Sequence, residues 1–241
     1  MATLTQYITE TRQLLQNPNA PTQLYSDANL TSYINRARGL LAGDSECIRV
    51  YGTLALTQGV RVYSLTAINV SALAGVDGAL NARILLRRLG DGNVWMRPRN
   101  WPWFAQYKLN VPVPQQGAPT VWTQYGQGET GSLYVDPVPD GDYTVDVDTV
   151  CRPIDLVDDT TPDAIPYPFD KAVPFFACYY ALLAAQSNAR QADADRMKQR
   201  YEEFKNMARS ISNPDVLPQL YEQHPDLTLP AKLGMQPRGQ Q

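Results

Sequence analysis

The chain has 241 residues and a single histidine, His224, with three cysteines, Cys47, Cys151 and Cys178. A Ser-His-Asp or Cys-His nucleophile system needs an imidazole held rigidly beside its partners. His224 lies between prolines in the C-terminal stretch, a poor place to hold one. One His and three scattered Cys match no metal-ligand spacing, and an odd number of widely spaced thiols makes no disulfide framework. Cys178, within FFACYYALL, reads as a small buried side chain. The 21 basic residues never form a run against the 24 acidic ones, so tight sequence-independent nucleic-acid binding is not expected. Long apolar runs are also missing. The longest, AVPFFACYYALLAA at 172–185, is too short to span a bilayer and contains Pro174, so it reads as a core helix. The opening MATLTQYITETRQ has neither a basic start nor an apolar stretch, which reads as no signal peptide and no membrane partner.

Phosphate-binding and acidic motifs are present only in outline. Gly126-Gln-Gly128-Glu-Thr-Gly131 fits G-x-G-x-x-G, but a strand follows it where a dinucleotide site needs a helix. It reads as a loop, and no G-x-x-x-x-G-K-[ST] sequence occurs. Asp136, Asp140, Asp142, Asp146 and Asp148 lack the terminal bidentate Glu of a calcium loop. Asp146 and Asp148 are read as keeping a sheet edge soluble. No catalytic residue, metal ligand or cofactor is expected, and the chain is not read as an enzyme.

What is present is aromatic and patterned, enough for a folded core. Leu4, Tyr7, Ile8, Thr11, Leu14 and Leu15 make one helical stripe. Leu30, Tyr33, Ile34, Ala37 and Leu41 make a second, opened by Ser26 and closed at Gly43. From Cys47 the period shortens. IRVYGTLALTQGVRVYSL predicts a hairpin turning at Thr-Gln-Gly, and INVSAL and ARILLRRLG-DG-NVWMRP continue as strands. NWPWFAQYKL predicts an aromatic turn or helix against the sheet, with a stacking surface for bases or sugars as its other reading. In LYVDPVPDGDYTVDVDTV (133–150), Leu133 and Val135, then Tyr143, Val145 and Val147, alternate with polar residues. Asp140-Gly141 predicts a tight hairpin turn, and Pro137 and Pro139 predict a sheet edge. DKAVPFFACYYALLAAQSNA predicts a central helix. In the next helix Met197, Tyr201, Phe204, Ala208 and Ile211 form one narrow stripe.

From Asn213 the period fails. Five prolines break the tail, yet Leu217, Leu220, Tyr221, Leu227, Leu229, Leu233 and Met235 remain as apolar anchors. Fully extended, such a tail reaches roughly 95 Å at about 3.3 Å per residue. It reads as an arm docking on a neighbour or as a tail folded back on its own domain. The expected fold is α+β. A helical hairpin (1–46) and two further helices (153–212) form a helical bundle. An antiparallel β-sandwich or open barrel (47–152) is inserted between them, and an extended arm (213–241) follows.

The order of YSDANLTSYINRARGLL, an inserted β-domain, SLYVDPVPDGDYTVDVD, IPYPFDKAVPFFACYYALLAAQ and a charged amphipathic helix resembles the head-to-tail adaptor (connector) proteins of tailed bacteriophages, particularly short-tailed ones. The resemblance covers about residues 4–212. It implies a virion protein made in the host cytoplasm, forming a homo-oligomeric ring of twelve copies between the portal protein and the tail tube or nozzle. Double-stranded DNA would pass through that ring without tight binding. It implies no catalytic residues. It places the arm, with Leu217, Leu220, Tyr221, Leu227, Leu229, Leu233 and Met235, at the portal or a neighbouring copy. The turn with Pro137, Pro139, Asp140 and Gly141 is read as a contact for tail parts or adjacent copies. The alternative is a tail-associated protein whose β-domain engages another tail subunit or a host glycan through Trp101, Trp103 and Trp122.

Overall fold

The computed structural model describes residues 2–17, 24–88, 94–184 and 190–212. Its helices are α1 (Leu4–Leu14), α2 (Asp27–Ser45), the short α3 (Trp101–Phe104), α4 (Ala172–Ala184) and α5 (Gln191–Ser212). A capping box starts α1. The Thr3 hydroxyl accepts the Gln6 amide, and the Gln6 side chain accepts the Thr3 amide, so two first-turn donors are satisfied. Ser26 caps α2 by accepting the Asn29 amide. Gly43, expected to close α2, lies inside it. The helix ends at Glu46, which takes the left-handed conformation with φ 54°.

As its apolar circumference predicts, α4 is the centre of the helical layer and packs against α1, α2 and α5. Pro174 falls in its first turn, where few amides have a helical partner. On one side only, α5 joins α4: Tyr201 stacks on Phe176 at 4.2 Å and Phe204 on Phe175 at 5.7 Å. Ile211, expected at the end of that stripe, is exposed. With 22 residues against 13, α5 outreaches α4 by roughly 13 Å at about 1.5 Å per residue.

A buried polar hub fastens this layer to the connector at 154–165. Arg38 and Asp163 are both fully buried and pair at 2.8 Å. Arg38 also donates to the Ile154 carbonyl at 2.7 Å, and the Tyr7 hydroxyl donates to Asp163 at 2.6 Å. Asn35 exchanges two bonds with the Leu156 backbone. Burial, with Asp163 beside it, pushes the Tyr7 phenol well above its ordinary range.

The strands are β1 (Arg49–Leu56), β2 (Val62–Ser64), β3 (Val76–Arg88), β4 (Val94–Pro98), β5 (Val121–Tyr125), β6 (Ser132–Asp136) and β7 (Tyr143–Pro153). Their order in the sheet is β1-β7-β3-β4-β5-β6-β2. All pairs are antiparallel except β4–β5, which is parallel, so the sheet is mixed. It curls until β1 meets the segment a turn beyond β2, through a bridge between Thr53 and Asn69 with bonds of 3.0 and 2.8 Å. At this seam Gly52 is required. A Cβ there would stand 2.6 Å from Ile68 Cγ2 and 2.9 Å from the Asn69 carbonyl oxygen. The molecule is thus an α+β fold in which N- and C-terminal helices flank a nearly closed mixed β-barrel. The two share a continuous hydrophobic core, and α2 packs on β7.

Most strands stand where the pattern put them, but INVSAL was expected as a strand and forms none, β3 begins at Val76 ahead of ARILLRRLG, and the pairing differs in two places. β1 and β2 make no hairpin: β1 pairs with β7, and β2 with β6. Nor do β6 and β7. The turn between them carries the chain from one wall of the barrel to the other, and Gly141 has no positive φ. Pro137 and Pro139 therefore follow an interior strand and mark no edge. Asp148, expected to face water, is buried on β7 and ion-paired with Arg49 of β1. INVSAL supplies only the Asn69 bridge. The Asp91-Gly92 turn and the whole 213–241 arm lie outside the described residues.

Candidate functional site

Three loops converge at one end of the barrel. The first runs 57–61 between β1 and β2, the second 105–119 after α3, and the third 137–142 between β6 and β7. The third is fastened to each of the other two by backbone bonds. Gly59, with φ 77°, donates to the Pro139 carbonyl at 2.9 Å. Val138 donates to Gln115, and Gly117 to Val138, both at 2.9 Å. Gln58 donates its amide to Asp142 Oδ1 and its side chain to the Asp140 carbonyl. The Tyr143 hydroxyl donates to Asp140 Oδ1 at 2.6 Å. Tyr63 holds the first loop from beneath, donating to the Val60 carbonyl, and burial pushes its phenol up.

Asp136 is the electrostatic anchor of this end. Its side chain is buried, and Arg61 and Lys108 each pair with one of its oxygens at 2.7 Å. Arg61 also donates to the Lys108 carbonyl. Two cations on one carboxylate satisfy a charge that burial alone would penalise, and they tie the first two loops to β6. Above this base the side chains are apolar and open: Val60, Val62, Tyr107, Leu109, Val111 and Val113, the last 79% exposed. A fixed backbone carrying unburied apolar groups is suited to seating another protein surface.

Of the four turn residues singled out from sequence, only Asp140 is exposed. Pro139 is buried, and Pro137 and Gly141 are half-buried. The turn is thus a buttress of the platform, whose outer surface comes from residues 107–113. Tyr107 and Leu109 were expected in an aromatic turn or helix against the sheet, and are exposed instead; the stretch from Val111 was read as a plain loop, where the signal available was VPVP, apolar residues without a helical or strand period to bury them. Leu217, Leu220, Tyr221, Leu227, Leu229, Leu233 and Met235 lie outside the described residues.

The aromatic segment divides. Trp101 packs on Tyr125 at 4.5 Å and on Tyr134 at 4.8 Å, and Phe104 is fully buried against Tyr134. Trp122 is buried in the barrel. Trp103 remains half-exposed beside Tyr107. The G-x-G-x-x-G stretch forms a short turn leading into β6, with positive φ at Gly126 and Gly128. A concavity of about 510 Å³ beside α1 presents the Arg12–Asp27 pair at 2.6 Å, surrounded by hydroxyls, amides and Ile8. Among the described residues no group of three or more His, Cys, Asp or Glu could hold a metal ion, and no helix is long and apolar enough to cross a membrane. All three cysteines are free and buried, and burial pushes the Cys178 thiol up to about 12.

A helical layer carrying a curled barrel, with a braced loop end that is apolar and open, defines an α+β protein. The chain belongs to the SU10 adaptor protein family, whose model matches residues 2–223. None of the curated proteins matches it. Among solved structures it is similar to a chain from the neck of an empty GTA particle computed with C6 symmetry, with 17% identity, a TM-score of 0.23, and coverage of 72% of this chain and 76% of that one. A likeness at that TM-score carries no structural argument. The symmetry stated for that neck is sixfold where the sequence reading expected twelve copies; the twelve-copy ring is withdrawn, and no other number takes its place.

Proposed function

We propose that the protein is a non-enzymatic virion component that forms the adaptor ring between portal and tail in a tailed, short-tailed phage-like particle. In that place it extends the DNA channel and offers the tail its attachment platform. The family match over residues 2–223 carries this reading. The braced loop end of the barrel supports it, because its open apolar side chains suit a protein partner. In this reading residues 1–46 and 153–212 build the ring wall, 47–152 is the inserted β-domain, and 213–241 is the arm toward the portal or a neighbouring copy. The platform at 57–61, 107–117 and 137–142 faces the tail.

Heterologous contacts, one patch on a different patch of the next copy, close a ring. The one-sided α5 and the barrel wall are two such distinct patches. The test is to mix the purified chain with portal particles, measure the mass of the product and image it. A coaxial ring on the portal is the expected result. A chain that stays free of portal at high concentration, with or without tail protein, contradicts the reading. Of the three tryptophans of the glycan-binding alternative, Trp122 is buried, Trp101 is packed between tyrosines and Trp103 stays half-exposed.

A further inference from the structure

Positive charge is unevenly placed along this acidic chain. Residues 83–108 hold six cations, Arg83, Arg87, Arg88, Arg97, Arg99 and Lys108, against Asp91 alone, a local charge of +5. The whole chain carries −3, so −8 remains on everything else. No run of basic residues marks this segment, because apolar residues separate the cations; folding into the β3–β4 ribbon and α3 gathers several of them on one surface.

Arg87 stands opposite Trp95 in the ladder, its guanidinium 5.6 Å from the indole centroid. Trp95 is 52% exposed. Arg97, two residues along, leaves the strand on the same side and is exposed, while Met96 between them is buried. Arg99 is exposed as well and lies 5.2 Å from the Trp103 ring, with Lys108 6.0 Å from the same ring. Arg87 meets Asp146 and Lys108 meets Asp136, both carboxylates of the barrel. Arg88 turns inward and donates to the Pro119 carbonyl. The surface that results alternates guanidinium groups with indole faces. From Trp95 to Arg99 it advances about 13 Å at roughly 3.3 Å per residue, or about four nucleotide steps of about 3.4 Å.

We propose that this outer face of the β3–β4 ribbon is a nucleic-acid-binding surface, with Arg97 and Arg99 on backbone phosphates and Trp95 against a base or sugar face. Clustered cations gain affinity by releasing the counterions of a polyanion, and an open indole stacks on any base. The strong negative charge elsewhere confines such contact to this face. A protein partner would call for a desolvated apolar centre, and that feature lies at the loop platform instead. Single strand and duplex offer the same phosphates, so both belong in the test.

The experiment is fluorescence anisotropy of short labelled single-stranded and duplex oligonucleotides with the full chain, between about 50 and 200 mM salt. Arg97→Glu with Arg99→Glu is expected to weaken binding at least about tenfold and to lower the salt slope by about 2. Lys198→Glu with Arg200→Glu, the same charge change on the exposed face of α5, is expected to leave binding within about twofold. Thermal melts check each fold, and Arg97→Gln with Arg99→Gln replaces the first pair if it does not fold. The proposal is overturned if the wild-type chain binds neither oligonucleotide at the low salt, or if the α5 variant loses as much as the ribbon variant. It is also overturned if the ribbon variant binds normally but changes the mass of the protein in solution, which would assign the face to the acidic surface of a second copy. Binding is read on the chain alone, so this result is separate from success or failure with the portal.

Discussion

Two buried carboxylates at the base of the helical layer behave in opposite ways because their surroundings differ. Asp163 receives bonds from Arg38, Tyr7 and the Ile165 amide. Removing it strands a fully buried guanidinium, so Asp163→Ala is expected to cost about 3–5 kcal/mol, read as a lower midpoint in urea unfolding. Replacing Arg38 and Asp163 together by apolar residues of similar size is expected to cost less than the single change. Asp170 is buried with Oδ1 unpartnered, and burial, with Asp163 and Glu10 adding to it against Lys171, raises its carboxyl above the ordinary 3.8. A raised acid binds more protons folded than unfolded, so it loses the protein stability as pH rises through the window above 3.8. Asp170→Asn is therefore expected to raise the melting temperature at pH 7, and the gain should vanish in acid below the unfolded value. An equal gain at both pH values would refute that account. Neither role was legible in IDLVDDTTPDAIPYPFDK, because nothing in it names Arg38 or Tyr7, more than a hundred residues earlier.

Among the elements, local pattern told the truth about type and little about partners. The 3.6-residue stripes placed α1, α2 and α5, an apolar circumference placed α4, a β-rich run placed β1, and two-residue alternation placed β6 and β7. Turn chemistry then misled. Thr-Gln-Gly and Asp140-Gly141 do reverse the chain, but a turn says nothing of which strand comes to lie alongside. That choice is made by packing: β1 finds β7, about a hundred residues on, because Val50, Leu54, Val145 and Val147 share one interior. The platform was half legible for the same reason, the 137–142 turn by its prolines and its bracing from Gln58 and Gly117 not at all. Gly52 offers the element-scale test. Gly52→Val would drive its side chain into Ile68 and the Asn69 carbonyl, and is expected to destabilise the barrel by about 1–3 kcal/mol. Amide exchange should quicken first in β1 and around Asn69. Uniform acceleration across all strands would mean that the seam is no weaker than the rest.

For the whole molecule, the prediction concerns what meets the open loop end. Val111→Asp with Val113→Asp places charge on exposed side chains that brace nothing, so the melting temperature should stay within about 2 °C of wild type. Association with tail protein in sedimentation should weaken by more than tenfold, roughly 1.4 kcal/mol. Unchanged association would move the tail contact off this surface. The helical layer, by contrast, should go on engaging its own partners in the same variant. One further consequence comes from the way the sheet curls. Its two outermost strands follow one another in the chain, and the bridge from Thr53 to Asn69 covers part of the β1 margin. Bare margins template cross-chain pairing between crowded molecules. Where Thr53 is bridged, the rim offers a neighbouring chain no free backbone to pair with, and side chains decide what adheres there.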